Sequence, residues 1–130
     1  MSFLGYQRPD GSVGIRNYVL VLPGGLLSSK VCEFVVGART IVTADIGAGR
    51  TKRDRETIAR ILVGLGRNPN VAGVIAHDVS ASADYPELNM EKLTNQIAES
   101  KKPVEFLSHR KYPDNLQLME KAIRVARQMV

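Results

Sequence analysis

Four strand-like runs alternate with four segments whose apolar residues recur at helical spacing, and this alternation most constrains the fold. The strand-like runs cover residues 19–22, 40–44, 71–77 and 103–107. Strands that alternate with helices at this spacing form parallel sheets with right-handed crossovers. We therefore predict a small Rossmann-like, three-layer α/β domain with a mostly parallel sheet of about four strands and flanking helices.

The segments between these runs carry helix signals. Thr51 with Asp54 has the pattern of a capping box, and Gly64 and Gly66 predict where that helix ends. A later helix is predicted at about residues 86–99. The apolar positions of the four predicted helices are Leu27, Val31, Phe34 and Val35; Ile58, Ile61, Leu62 and Leu65; Met90, Leu93 and Ile97; and Leu116, Met119, Ile123 and Ala126.

A short hairpin is predicted before the first strand. Asp10-Gly11 is a strong turn dipeptide, because glycine accepts positive φ and aspartate can bond its own backbone. Residues 6–8 and 13–15 can therefore pair across this turn. The apolar run at 19–22 then ends at Pro23-Gly24-Gly25, which opens a loop at the carboxyl end of the strand.

Length and composition fit one soluble domain spanning residues 1–130. No apolar run approaches the ~20 residues of a membrane helix, and the start lacks the regions of a signal peptide, so we expect a cytoplasmic protein. A single cysteine, Cys32, excludes an internal disulfide framework and a cysteine-cluster metal site, and it is predicted to lie in a helix core.

The net charge of +5 has two interpretations. It can indicate an anionic partner such as a sugar acid, a phosphate or nucleic acid, or it can be a solvated basic surface. The sequence has no aromatic RNA-binding block, zinc finger or basic-region heptad, so nucleic acid is not expected as a partner.

Three loops after the strands are candidate binding sites, because ligands of open α/β sheets usually bind at this end. In the first, Gly24 and Gly25 allow a ligand close to the backbone, and the helix start near Ser28 and Ser29 offers free N–H groups to an anion. The alternative is a plain glycine turn with a serine cap.

The second loop, residues 45–54, combines glycines with positive charge at a helix start. Gly47 and Gly49 free the backbone, and Arg50, Thr51 and Lys52 lead into the helix. A carboxylate or phosphate would be stabilised there by the helix dipole. The alternative is a solvated loop with ordinary capping.

The third loop follows the strand at 71–77. His77 and Asp78, with Ser80 and Ser82, offer a possible set of acid, base and hydroxyl groups. Adjacent strand residues point to opposite faces, so His77 and Asp78 do not form a catalytic pair merely by being neighbours. The alternative is a histidine packed at a strand end.

The stretch GYQRPDGSVGIRNYVLVLP resembles the opening of the core domain in the altronate and galactarate dehydratase family, which includes sulfolactate sulfo-lyase. The family form is G-Y-x-R-x-D-G-x-x-G-x-R-N-Y, and it is matched here by Tyr6, Arg8, Asp10, Gly11, Gly14, Arg16 and Asn17. A second block, GLGRNPNVAGVIAHDV, is also similar, with Asn68 where the family usually has His. The resemblance extends to about Ser82.

The resemblance implies iron-dependent lyase chemistry at cysteine and histidine positions that this chain replaces. The family's Cys and His positions are occupied here by Leu27, Ala44, Ala48 and Ala81. Alanine and leucine cannot coordinate a metal, so no metal site is predicted, and the cofactor stays undetermined. Family enzymes are longer, so the chain is expected to be either a domain of a longer protein or a small stand-alone relative.

Two classes of function remain open. In the first, the chain is a domain of a sugar-acid dehydratase or related hydroxy-acid lyase that binds a carboxylate substrate. In the second, it is a non-catalytic partner or ligand-binding module that kept the fold and lost the metal site. The implied partners are a small anion, the rest of a lyase chain or a second subunit, and further copies in a homo-oligomer. Candidate substrate-binding residues are Arg8, Arg16, Asn17, Gly24, Gly25, Ser28, Ser29, Gly47, Gly49, Arg50, Thr51 and Lys52.

Overall fold

The computed structural model describes residues 2–41, 50–79 and 85–130. Two short strands, β1 (Tyr6–Gln7) and β2 (Val13–Gly14), form an antiparallel hairpin. Four further strands form a parallel sheet in the order β4-β3-β5-β6. These strands are β3 (Tyr18–Leu22), β4 (Ala38–Thr40), β5 (Val71–His77) and β6 (Val104–Leu107). The predicted α/β fold with a preceding hairpin is confirmed.

Helices cover both faces of the sheet. They are α1 (Leu26–Phe34), α2 (Lys52–Arg67), α3 (Met90–Ala98) and α4 (Asn115–Met129), with a short 3-10 helix at Pro86–Leu88 before α3. Among the described residues, none of the helices is both long and apolar enough to cross a membrane.

The core is divided by the alternation of side chains along the strands. Val19 and Val21 of β3 face α1 and α4, whereas Leu20 and Leu22 face α2 and α3. All four side chains are buried, which explains why the run is uninterrupted and apolar. The sheet therefore forms the middle of three layers, as predicted.

The second strand starts and ends earlier than its composition predicted. It covers Ala38–Thr40, and Ile41 lies beyond it, while the predicted residues 42–44 lie outside the described residues. The bounds of β4 follow from its pairing with β3, in which Ala38 lies opposite Val19 and Thr40 lies opposite Val21. Gly37, with a φ of 93°, makes the turn that delivers the strand there.

Helices α1, α3 and α4 differ from the prediction in a cap, a boundary or a packing face. Helix α1 begins after Gly25 without a side-chain cap, so Ser28 and Ser29 are not caps. The segment predicted as one helix at 86–99 is divided by Asn89, whose side chain caps α3 by accepting a hydrogen bond from the Lys92 N–H. Helix α4 buries Leu118, Ala122, Val125 and Ala126, so its packing face is rotated from the predicted one, and Leu116 is exposed.

The two glycines predicted to end α2 lie inside it, and the helix continues to Arg67. Gly66 is there because α3 packs against it: a Cβ on Gly66 would lie 2.5 Å from Ile97 Cδ1. Gly64 faces open space, with nothing within 4 Å of such a Cβ. The predicted capping box of Thr51 with Asp54 is confirmed.

We expect the two glycines to respond in opposite directions to alanine. Gly64→Ala should raise the free energy of unfolding by up to about 1 kcal/mol, since alanine restricts the unfolded chain and fits the helix. Gly66→Ala should lower it by about 1–2 kcal/mol by overpacking against Ile97. Urea unfolding measures both, and equal effects of the same sign would contradict this assignment.

Arg8 attaches the hairpin to the sheet. Its Nε donates to the Pro69 carbonyl at 2.6 Å, and its two terminal nitrogens donate to Asn17 Oδ1 at 2.9 Å and to the Arg16 carbonyl at 2.8 Å. The side chain of Asn70 adds to this by accepting from the Ile15 and Arg16 N–H groups. The hairpin is thus fixed at the amino end of β3 and β5.

Candidate functional site

The carboxyl ends of β3, β5 and β6 meet at one edge of the sheet, because these strands are parallel neighbours. The segments that leave this edge are the turn at Gly24, the pair His77–Asp78 and the segment 108–111. The first and third predicted loops contribute described residues to this surface, and the described part of the second loop, residues 50–54, leads into α2. Gly47 and Gly49 of the second loop lie outside the described residues, as do Ser80 and Ser82 of the third.

His77 and Ser28 are brought together although they are far apart in sequence. His77 Nε2 lies 2.9 Å from Ser28 Oγ, and both side chains are buried. His77 Nδ1 lies 2.9 Å from the Asp78 carbonyl, which can only accept, so the ring hydrogen is on Nδ1. The lone pair of Nε2 then accepts from the Ser28 hydroxyl.

This pair also fixes the turn before α1. Ser28 Oγ lies 3.2 Å from both the N–H and the carbonyl oxygen of Gly24. Gly24 and Gly25 have φ angles of 110° and 87°, which favour glycine, and the bond from Leu22 to Pro23 is cis. The strand end of β5 therefore holds the Gly24–Gly25 turn in place through Ser28.

His109 and Asp78 form a second pair at the same edge. His109 Nδ1 bonds Asp78 Oδ1, and the backbone N–H of His109 donates to both carboxylate oxygens at 3.1 Å. His109 Nε2 lies 2.8 Å from Asn115 Oδ1. Both ring nitrogens thus have an acceptor, which favours the imidazolium form. Burial alone would lower the pKa of His109, but the bonds to Asn115 and Asp78 outweigh it and raise the pKa.

A pocket of about 510 Å³ lies beyond the carboxyl ends of β5 and β6. We call it the β6 pocket. The groups that can recognise a ligand there are the side chains of Asp78, Asn89, Glu91, Ser108, Arg110 and Lys111. Two cations and two carboxylates line one cavity. The net charge of the pocket therefore depends on whether the carboxylates already form ion pairs with other side chains.

The start of α2 retains exposed positive charge. Thr51 is used in the capping box, and the Arg50 carbonyl accepts from Arg55 at 2.5 Å. Lys52 Nζ lies 3.9 Å from Glu56 and is well exposed, so this ion pair is weak. The Arg55 side chain bonds Glu87 and stacks on the Tyr85 ring at 4.1 Å, which connects α2 to the 3-10 helix.

Three predicted site residues lie at the opposite edge. Arg8, Arg16 and Asn17 lie before β3, whereas Gly24 lies after it, so the strand of five residues separates them by roughly 16 Å. The guanidinium of Arg8 and the side-chain oxygen of Asn17 bond each other within the chain. The structure does not bring these residues to the carboxyl edge, because they precede the strand.

His109 and the segment Ser108 to Lys111 were missed by the sequence interpretation. The available signal was their position directly after the fourth strand, since every strand of a parallel sheet delivers its following loop to the same edge. The two histidines looked unrelated in sequence because they are far apart. His77 ends β5 and His109 follows β6. Because these two strands are neighbours in the sheet, both histidines lie at the same edge.

We expect the two histidines to affect stability with opposite dependence on pH. His109 has a raised pKa, so its stabilising contribution is complete below its ordinary value of 6.5 and is lost as pH rises through the folded pKa. The destabilisation caused by His109→Asn should therefore be largest at acidic pH and should shrink toward alkaline pH, as measured by urea unfolding.

His77 provides the internal comparison, because burial lowers its pKa despite the opposing bond to the Asp78 carbonyl. The folded protein favours the neutral form of His77. Below pH 6.5 this side chain is protonated in the unfolded chain, which lowers the free energy of unfolding. NMR titration of the two rings should show His77 below and His109 above the ordinary value. A shift in the same direction for both would contradict the assignment.

The described residues do not fit the metal chemistry implied by the resemblance. Leu27 packs against the apolar core, and its side chain has no lone pair to donate. Ala44, Ala48 and Ala81 lie outside the described residues, and alanine has no donor atom. Within residues 2–41, 50–79 and 85–130, no group of three His, Cys, Asp or Glu side chains could hold a metal ion. Cys32 is half-buried on α1, and burial raises the pKa of its thiol.

Comparison with known proteins identifies the family. Residues 5–130 match the model of the second domain of D-galactarate dehydratase/altronate hydrolase. The chain is 40% identical over 77 residues to the (2R)-sulfolactate sulfo-lyase subunit beta of Chromohalobacter salexigens, an alignment covering 57% of this chain and 20% of that protein. The matched part is thus about a fifth of the relative's length. No solved structure matches the chain. Because the family model covers nearly the whole sequence, this chain belongs to the D-galactarate dehydratase/altronate hydrolase second-domain family.

Proposed function

We propose that the chain is one domain, residues 1–130, of a hydroxy-acid lyase and that it binds the substrate's carboxylate at the carboxyl edge of its sheet. The observation that carries this proposal is the contact of Ser28 with His77, which fixes the Gly24–Gly25 turn at that edge. Helix α2 also begins at this edge of the sheet, because it ends beside the start of β5. Membership of a lyase-type family supports the reaction class.

The start of α1 is suited to a carboxylate. The N-cap of α1 is Gly25, which has no side chain, so none of the described side chains competes with an anion for the N–H groups of the first turn. Gly24 and Gly25 have positive φ angles, and none of the atoms of the described residues lies within 4 Å of a Cβ built on Gly25. Ser28 and His77 keep this turn fixed, so the anion site is preorganised.

The start of α2 supplies charge to the same edge. Arg50 and Lys52 are exposed, and Thr51 keeps the helix start in place through its capping box. A guanidinium or ammonium group beside the carboxylate stabilises the enolate-like charge that develops when the α-proton is removed. Arg50 and Lys52 are therefore the proposed charged partners of the substrate.

Elimination of water beside a carboxylate needs a base for the α-proton and an acid for the leaving hydroxyl. His77 holds a lone pair on Nε2, but it is directed to Ser28 and buried. We therefore assign His77 and Ser28 to positioning the turn, and we place much of the acid-base chemistry in other segments or subunits of the enzyme. The name of the relative, a subunit beta, supports a multi-subunit assembly.

The proposal predicts selective binding of sugar acids to the protein. D-galactonate should bind, and the neutral alditol galactitol should not, as measured by calorimetry at about 0.15 M ionic strength. The double variant Arg50→Ala/Lys52→Ala should weaken galactonate about tenfold, or about 1.4 kcal/mol, because two cations are lost. Arg124→Ala/Arg127→Ala makes the same change in net charge near the end of α4, away from the start of α1 and α2, and should leave the affinity unchanged.

Equal weakening in both double variants would attribute binding to net charge and overturn the assigned site. Absence of galactonate binding to the unmodified protein would overturn the proposal itself. Formation of a 2-keto acid from galactonate by the protein and its co-purifying subunits would establish the lyase function.

A second candidate is a non-catalytic ligand-binding or partner module. It is favoured by the replacement of the family's Cys and His positions with Leu27, Ala44, Ala48 and Ala81. This module would bind galactonate at the same residues but form no keto acid in any combination of subunits. The activity assay therefore separates the two candidates.

A further inference from the structure

A groove of about 530 Å³ lies on the surface between α2 and α3, and we call it the α2–α3 groove. The apolar part of its lining includes Ala59, Val63 and Leu93, which are buried or half-buried. Along α2 the lining extends from Glu56 to Arg67, which is about 16 Å at the rise of a helix. The groove therefore suits an elongated occupant better than a compact one.

Gly64 lies in this groove, and packing among the described residues does not require a glycine there. A Cβ on Gly64 would have none of their atoms within 4 Å, whereas Gly66 lacks a side chain because Ile97 packs against it. Glycine inside a helix lowers stability relative to alanine, and it is used where a second backbone approaches closely. Close approach of a partner to α2 accounts for the glycine at this position.

Two charged side chains of the lining are already paired within the chain. Glu87 bonds the guanidinium of Arg55. Arg67 donates to Glu99 at 2.7 Å and to the Gln96 carbonyl at 2.8 Å. These two side chains are therefore not the groups that a partner would recognise first.

The free charges of the groove are positive and lie on both helices. Arg60 of α2 and Lys92 of α3 are exposed, and neither forms an ion pair with another described residue. Arg60 donates to Thr57 Oγ1 at 3.3 Å. Glu56, the remaining carboxylate of the lining, lies 3.9 Å from the Lys52 ammonium. An apolar lining with a cation on each side is complementary to an apolar stripe flanked by carboxylates.

We propose that the α2–α3 groove is a docking site for an acidic amphipathic helix of a partner protein. The apolar stripe of this helix packs on Val63, Gly64 and Leu93, and its carboxylates pair with Arg60 and Lys92. A helix in this position packs against both α2 and α3 at the usual axis separation of about 8–10 Å. A second copy of the chain does not supply such a helix, because none of the described helices has more acidic than basic residues.

The test uses a synthetic peptide of about 20 residues, because shorter helices are marginal in water. The peptide has leucine on one helical face, glutamate on both sides of that face and a terminal fluorophore. Fluorescence anisotropy at about 0.15 M ionic strength should show that it binds the unmodified protein. The same peptide with lysine in place of glutamate should bind about tenfold more weakly or not at all.

Gly64→Leu separates docking from folding. Leucine suits an exposed helical position, so urea unfolding should show no loss of stability. Its side chain fills the groove, so affinity for the glutamate peptide should fall about tenfold or more. Arg60→Ala/Lys92→Ala should weaken this peptide about fivefold and reduce its advantage over the lysine peptide. Arg124→Ala/Arg127→Ala makes the same change in net charge on α4 and should leave the affinity within about twofold.

Three results would overturn the docking site: no binding of the glutamate peptide, unchanged affinity in Gly64→Leu, or equal weakening by the two double variants. Self-association of the unmodified protein that is abolished by Gly64→Leu in analytical ultracentrifugation would assign the groove to a second copy, and would overturn the acidic partner. Amide shifts on adding the glutamate peptide should include residues 56–67 and 92–96. Shifts confined to other segments would also overturn the proposal.

Discussion

Arg8→Ala is expected to lower the free energy of unfolding by about 3 kcal/mol. Arg8 is 9% exposed, and its guanidinium donates hydrogen bonds to two backbone carbonyls and one side-chain amide. Removing it leaves these acceptors without a donor in a partly dry environment. Urea unfolding at pH 7 measures the loss.

Two further variants make this prediction specific. Arg16→Ala removes an exposed guanidinium from the same segment and should cost less than about 0.5 kcal/mol. Arg8→Lys should recover little of the loss, because one ammonium cannot reproduce a planar fork with three separate acceptors. A cost below about 1 kcal/mol for Arg8→Ala would contradict the structural role.

The same variant separates two roles for Arg8. If Arg8 only attaches the hairpin, the folded fraction of Arg8→Ala should bind galactonate with unchanged affinity. If Arg8 contacts substrate, as the sequence interpretation proposed, affinity should fall even where the protein is fully folded. Its position at the amino edge favours the first outcome.

Features determined by local sequence were predicted well. The third strand was predicted at residues 71–77, where β5 is found, because an apolar run lies between a turn and a polar loop. The capping box of α2 and the turn at Asp10-Gly11 depend on residues close in sequence, and Asp10 Oδ1 indeed accepts from the Ser12 N–H. Such features need no knowledge of tertiary packing.

Features determined by neighbours in space were predicted poorly. The start of β4 follows from its pairing with β3, and Gly66 reflects the approach of Ile97. The candidate site shows the same division. His77 and Ser28 were each selected from their loops, but their contact depends on β3 and β5 being adjacent. His109 was missed because its relation to Asp78 depends on the order of β5 and β6.

The family signature and the candidate site lie at opposite edges of the sheet. Arg8, Gly14 and Asn17 belong to the motif that identifies the family, and they connect the hairpin to the start of β3 and β5. The signature is therefore explained by folding, since it fixes the amino edge. The residues proposed to bind ligand lie in the loops after the strands, which accept substitution more readily than the scaffold.

Gly14→Ala tests this explanation most directly, with an expected loss of about 3 kcal/mol. A Cβ at Gly14 would lie 2.1 Å from the Pro69 carbonyl oxygen and 2.9 Å from the Asn70 nitrogen. These are backbone atoms, so the clash cannot be relieved by rotating a side chain. The hairpin would have to move away from residues 69 and 70, and the bonds from Arg8 would be lost with it.

Gly11→Ala is the matched control in the same hairpin. Gly11 has a φ of 88°, but no atom lies within 4 Å of its Cβ position, so alanine should cost about 1 kcal/mol from backbone strain alone. Arg8→Ala and Gly14→Ala disrupt the same contact with Pro69, so the double variant should cost clearly less than the sum of the two. Strict additivity, or equal costs at Gly11 and Gly14, would mean that docking against Pro69 does not determine the stability of this edge.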